Sequence, residues 1–282
     1  MNKINRRKFL SGIGAGIGSM AISSLVPSRQ VLAADTAATQ SSVVFHGHGF
    51  YPMMSHVITG AVLELESVSN EILKLISAPS TPEKINLTLA PKDKAHLRFN
   101  KPGLYLLYNG ITTRFDTKVG QVAARKESRQ FPMPAYMVIL VTDRHGGGLN
   151  PTARRVTIPD SYMTFEPWAC VVRANESVTF TNKDMDTHIV MPSPEPMLMP
   201  KHKFGEADME DKLWQQRMNS ISPITLNSRG GAGTLTLKQP GLHHYYCPIH
   251  VAYSATDYTF YPLKSYGGYP FIMDGVIVVL PT

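Results

Sequence analysis

The chain has 282 residues, 43% of them hydrophobic and 17% charged, with a formal net charge of +7 and two cysteines. Five units of that charge, from Lys3, Arg6, Arg7, Lys8 and Arg29, lie in residues 1–34, which hold no acid. The remainder carries +2, which removes the charge argument for nucleic-acid binding.

At the N-terminus, Arg6-Arg7 is followed by Phe9-Leu10, a Gly/Ala/Ile-rich run, and Val31-Leu32-Ala33-Ala34. This order reads as a twin-arginine export signal over 1–34, with cleavage near position 33 or 34. The apolar run is short and weakly hydrophobic for a membrane span, so anchoring follows only if the signal stays uncleaved. Export by this route predicts a protein delivered folded to the periplasm. In that oxidising compartment two cysteines ordinarily suggest one disulfide.

The remaining length suits one large domain or two of about 100 residues each. Segments such as Val62-Leu63-Glu64-Leu65-Glu66, Ser177-Val178-Thr179-Phe180-Thr181 and Thr234-Leu235-Thr236-Leu237 alternate with period two between Pro/Gly/Asn turns. They predict many short strands and an all-β sandwich architecture. Only the stretch 206–218 reads as helical.

An internal repeat organises these strands. Shifting the chain by 138 residues lays Leu97-Arg98-Phe99-Asn100-Lys101-Pro102-Gly103-Leu104 on Leu235-Thr236-Leu237-Lys238-Gln239-Pro240-Gly241-Leu242, and Val138-Ile139-Leu140-Val141 on Val276-Ile277-Val278-Val279. Upstream, Phe50-Tyr51-Pro52 matches Phe165-Glu166-Pro167 at an offset of 115, so the second copy carries extra residues, most simply between His188 and Thr225. The expected organisation is a first sandwich over 43–142, a linker over 143–160 containing Gly146-Gly147-Gly148, and an enlarged second sandwich over 161–282.

The second copy concentrates chemistry. Ser177-Val178-Thr179-Phe180-Thr181-Asn182 runs into Lys183-Asp184-Met185-Asp186-Thr187-His188; Gly241-Leu242-His243-His244-Tyr245-Tyr246-Cys247 leads to His250; Met273-Asp274-Gly275 opens the last strand. This pattern resembles the cupredoxins, the blue copper proteins, over most of 162–282 and, weakened, over 43–142. The resemblance implies tandem Greek-key β-sandwiches and one mononuclear type 1-like copper per chain. Its ligands would be His188, Cys247 and His250, with Met273 as the weak axial thioether. It implies one-electron transfer with a redox partner protein or copper donor, His250 being the more solvent-near imidazole, and favours an electron carrier over an enzyme.

At the same offsets Leu73, Asn109, Thr112 and Ala135 stand opposite these four positions. The first copy thus lacks the ligands while keeping framework residues, and reads as a scaffold without copper. Twenty-two residues separate His250 from Met273, and Pro248 directly follows the cysteine, which departs from the family pattern. Met191, Glu166 and Asp257 are therefore rival axial groups.

Other readings of the same residues stand beside this one. A Cys170–Cys247 disulfide would leave His188, His250 and Met273 without a role, and a Cys/His nucleophile pair does not use the second histidine or the thioether. Cys170, within Trp168-Ala169-Cys170-Val171-Val172, reads as a buried free thiol. His46-Gly47-His48-Gly49 reads first as a surface strand start; it also loosely resembles the His-x-His pairs of multicopper oxidases, though Cys247 is flanked by Tyr246 and Pro248 and not by histidines, and alternation would place both imidazoles on one strand face. A second metal there would draw on His56, His145, His243 or His244, and would make the protein a copper oxidoreductase. The methionine- and proline-rich stretch 191–202 reads as an adaptable docking surface, with copper handling or tolerance as the alternative role.

Overall fold

The computed structural model describes residues 42–160, 162–193, 222–254, 257, 259–263 and 270–282. The expected signal (1–34), the expected helix (206–218) and most of the methionine-rich stretch lie outside these residues. Every regular element among them is a strand, so these residues hold no helix long and apolar enough to cross a membrane.

The N-terminal half runs β1 (Ser42–Phe45), β2 (Phe50–Tyr51), β3 (Met54–Ile58), β4 (Val62–Ser67), β5 (Leu73–Ser77), β6 (Asn86–Leu89), β7 (Lys94–Arg98), β8 (Gly103–Asn109), β9 (Thr113–Asp116), β10 (Gln121–Ala124) and β11 (Tyr136–Thr142). The C-terminal half runs β12 (Arg155–Ile158), β13 (Ala169–Arg173), β14 (Ser177–Asn182), β15 (His188–Pro192), β16 (Ile224–Leu226), β17 (Ala232–Thr236), β18 (Gly241–Tyr246), β19 (Val251–Ser254), β20 (Thr259–Pro262) and β21 (Asp274–Leu280). Strand β12 falls inside the stretch expected to be linker and pairs in parallel with β14. Its four residues, RVTI, alternate as a strand's do, but they follow Gly146-Gly147-Gly148 and Asn150-Pro151, whose turn chemistry had set the linker expectation.

In the first half the sheet β2-β1-β4-β7 and the sheet β3-β11-β8-β5-β6 enclose a core of Val43, Phe45, Leu63, Leu65, Leu73, Leu75, Tyr105 and Leu107. Strand β4 shows why: VLELES alternates outward and buried residues, so Leu63 and Leu65 face inward while Glu64 and Glu66 meet Lys94 at the surface. The second half repeats this with β12-β14-β17 and β13-β21-β18-β15-β16.

The last strand of each half does not alternate. All seven residues of β11 (YMVILVT) and all seven of β21 (DGVIVVL) are buried, the signature of a strand covered on both faces. Met137, Ile139 and Val141 of β11 enter the first half's core, whereas Tyr136, Val138 and Leu140 join an apolar cluster shared with the second half. The two halves accordingly belong to one compact unit.

The repeat read from the sequence recurs in the pairing registers. Met54 lies opposite Val138 where β3 meets β11, and Ala169 opposite Val276 where β13 meets β21. Val62 faces Arg98 and Ser177 faces Thr236. Each match keeps the offset of 115 upstream and 138 downstream. The interval between His250 and Met273 contains the hairpin β19–β20, and the first half has β9–β10 at the same offset.

Candidate metal centre

Three side chains from separate elements converge at one end of β15 and β18. His188 opens β15, Cys247 follows the last residue of β18, and His250 precedes β19; they are 0%, 0% and 3% exposed. Their ligating atoms all lie within 4.8 Å of one another, and they form the one group of three or more His, Cys, Asp or Glu donors among the described residues. Cys247 Sγ stands 3.3 Å from His250 Nδ1 and 4.0 Å from His188 Nδ1, and the two imidazole centroids are 4.9 Å apart.

Local sequence explains each placement. The N–H groups of both His250 and Val251 donate to the Cys247 carbonyl, at 3.1 and 3.0 Å, which closes a turn over Pro248 and Ile249. That turn brings the two side chains of Cys-x-x-His to one side. The Cys247 N–H donates to the Met273 carbonyl at 3.0 Å, tying the loop to the start of β21.

His188 is brought in by Asn182 at the end of β14. Asn182 is buried; its Oδ1 accepts the Asp184 N–H at 2.9 Å, and its Nδ2 donates to the carbonyls of Asp186 at 2.7 Å and of Leu226 and Asn227 at 3.1 Å each. This holds the loop between β14 and β15 against β16.

Asp184 completes the arrangement. It is 4% exposed, and its Oδ2 lies 2.8 Å from His188 Nε2. A carboxylate only accepts, so Nε2 carries the proton and the Nδ1 lone pair is left facing Cys247. A carboxylate behind a histidine in this way fixes its tautomer and raises its basicity toward a metal. The spacing Asp-x-x-x-His within the TNKDMDTH segment was the available signal, and the sequence reading did not use it.

Burial moves the ionisations in the direction that leaves donors neutral. Desolvation raises the Cys247 thiol, against the lowering effect of N–H groups from Ile189, Ile249 and His250. Desolvation, helped by His188 and opposed by Asp186 and Asp184, lowers His250 to about 4. A cation binding here would displace the thiol proton. One ion bonded at about 2.0 Å to nitrogen and about 2.3 Å to sulfur holds N and S roughly 3.7 Å apart at a trigonal angle. The two S···N distances of 3.3 and 4.0 Å bracket that separation, so the residues fit a single ion.

The fourth expected ligand, Met273, is 0% exposed and is joined to Cys247 through its backbone carbonyl. Of its rivals, Glu166 is exposed, Asp257 is bound by the Ser254 hydroxyl at 2.7 Å, and Met191 pairs with Tyr246 across β15 and β18. Both cysteines are free, which excludes their disulfide. Cys170 is wholly buried, and burial raises its thiol to about 11.

The second histidine cluster is not assembled. His46 and His48 occupy the turn between β1 and β2, closed by His46 N–H to the Gly49 carbonyl at 3.3 Å, and not one strand face as alternation suggested. Four residues between two paired strands are consumed by the reversal, which Gly47 permits at φ +105. The other candidates are engaged elsewhere: His56 Nε2 with Thr142 Oγ1 at 2.8 Å, His243 Nε2 with the Gln239 carbonyl at 2.8 Å, and His244 with Asp274, while His145 is exposed.

No protein-family model and no curated protein sequence matches the chain. Among solved structures it is similar to reduced auracyanin from Roseiflexus castenholzii, at 18% identity and a TM-score of 0.26 over 45% of this chain and 95% of that one. It is also similar to a purple cupredoxin from Nitrosopumilus maritimus, at 16% identity and a TM-score of 0.25 over 44% of this chain and 97% of that one. Amicyanin from Paracoccus versutus aligns at 15% identity and a TM-score of 0.26 over 46% and 91% of the respective chains. The case for a metal rests on the three converging side chains themselves.

Proposed function

We propose that the chain is an exported, periplasmic copper protein that binds one mononuclear type 1-like copper through His188, Cys247 and His250 and serves one-electron transfer with a redox partner. The observation that carries this reading is the donor set: one thiol sulfur and two imidazole nitrogens within 4.8 Å of one another, buried together. A soft sulfur with two nitrogens in a dry, rigid pocket suits both oxidation states of copper, so the electron moves with little reorganisation. Met273 supplies the weak axial contact from the strand opening beside the cysteine. The buried Asp184 orients His188, and the Asn182 amide holds the loop that carries both.

Copper titration of the purified chain is expected to reach one equivalent and to give intense visible thiolate-to-copper absorption. Cys247→Ser is expected to abolish that absorption, because a hydroxyl supplies no thiolate. Intense absorption surviving in this variant would sink the assignment.

A further inference from the structure

Positions 136 and 274 are equivalent under the 138-residue repeat, and each opens the last strand of its half. Their side chains meet: the Tyr136 hydroxyl donates to Asp274 Oδ2 at 2.5 Å. Contact between equivalent positions is what a two-fold, isologous interface produces at its axis. The surroundings follow the same reciprocity. Ala123 on β10 of the first half bridges Phe271 of the second, and the Thr259 hydroxyl on β20 of the second donates to the Pro134 carbonyl of the first at 3.2 Å.

Asp274 is 1% exposed and takes two further side-chain donors. Trp168 Nε1 reaches Oδ1 at 3.0 Å and His244 Nε2 reaches Oδ2 at 2.9 Å. The Ser193 hydroxyl closes the far side of His244 at Nδ1, 2.5 Å away. From the first half, Gln121 Nε2 also approaches the backbone carbonyls of Asp274 and Phe165, at 3.4 and 3.5 Å. A buried carboxylate without a lysine or arginine depends on every such donor, and removing one leaves it under-solvated.

The neighbours of Asp274 give this cluster its consequence. Met273 precedes it and its carbonyl accepts the Cys247 N–H, while Tyr246, directly before the cysteine, pairs with Asp274 across β18 and β21. Gly275 follows, and a Cβ there would come within 2.4 Å of the Tyr245 hydroxyl oxygen and 2.9 Å of the Trp168 carbonyl. The strand start therefore has little room to shift without moving the metal loop.

We propose that Tyr136 is a positioning residue for the metal centre, through which the ligand-free half holds the Met273-Asp274 end of β21 against Cys247. The inference rests on the reading that His188, Cys247 and His250 bind copper. The N-terminal half is then part of the site's support, although it contributes no ligand.

The test uses the full chain titrated with copper, read by its dissociation constant and by the position of the thiolate-to-copper band. Tyr136→Phe is expected to weaken binding about tenfold, the lower end for partners behind a ligand, and to displace the band. Val122→Ala removes apolar contact at the same junction without touching Asp274, and is expected to lower the melting temperature while leaving both readings unchanged. Wild-type affinity and band position in Tyr136→Phe would overturn the proposal and reduce the bond to a structural one. Should that variant not fold, Gln121→Leu replaces it, with a displaced band expected and an unchanged band overturning the proposal. A wild-type chain that takes up no copper overturns the underlying reading instead, and that measurement comes first.

Discussion

The pole of the first half that corresponds to the metal centre keeps its hydrogen bonds and loses its ligands. Asn109 stands where Cys247 stands, 1% exposed, and its Oδ1 accepts the N–H groups of Lys74 at 3.3 Å and Ile111 at 3.1 Å. In the second half the Ile189 N–H donates to Cys247 Sγ at 3.4 Å, and the Ile249 N–H also acts on that sulfur. Ile189 and Ile249 are the repeat equivalents of Lys74 and Ile111. The bond from Asn109 N–H to the Ala135 carbonyl, 2.9 Å, likewise mirrors that from Cys247 N–H to the Met273 carbonyl, 3.0 Å. In both halves the same two part-buried N–H groups find their acceptor at this position. A thiolate accepts them and remains open to a metal, while a carboxamide oxygen accepts them and offers no soft donor.

That contrast can be broken by moving the ligands. Leu73→His, Asn109→Cys, Thr112→His and Ala135→Met together are expected to raise copper stoichiometry from one to two per chain, because the backbone frame for the second site already exists. Metal analysis that stays at one equivalent would show that the frame is insufficient. Next in size, Asp184→Asn should weaken copper binding in the native site by about 10- to 100-fold, since an amide no longer enforces the tautomer of His188; titration measures it.

Acidification should destabilise both halves by one mechanism. Burial holds His46 in the first half and His250 in the second down to about 4, from an ordinary 6.5. The folded values lie below the unfolded ones, so the unfolded chain takes up protons first as pH falls. The associated stability is present above about pH 6.5 and is lost between there and about pH 4, on the order of 3 kcal/mol per group. Denaturant midpoints of the copper-free chain across this range check the sign, and His46→Gln should remove the first half's share. The smallest expected effect is that of Asn109→Ala, which strands two part-buried N–H groups and should cost about 1 kcal/mol in unfolding experiments, the low end for a stranded donor, without altering copper affinity.

Much of this was legible beforehand for identifiable reasons. Two-residue alternation in Val62–Ser67 and Ser177–Asn182 marked strands because one face of each meets a core and the other meets water. His188, Cys247 and His250 were visible because their residue types and order carry the chemistry. Asp184, the turn position of His46 and His48, and strand β12 within the expected linker were not. The Asp184–His188 spacing is local but does not by itself name a bond, His46 and His48 are set by the reversal closed at Gly49, and β12 becomes a strand by pairing with β14. The Tyr136–Asp274 bond was hidden for a further reason, since repeat alignment equates two positions without saying that they touch.

The all-β class, the duplicated register at offsets of 115 and 138, and a thiol with two imidazoles in one copy alone can all be read along the chain. These are properties of pattern and residue chemistry, which short windows carry. Tertiary packing is what brings His188 Nδ1 to a sulfur 59 residues away. It also decided that β11 and β21 are covered on both faces. Convergence of side chains across sheets follows from how whole layers pack, and no local run of residues encodes that.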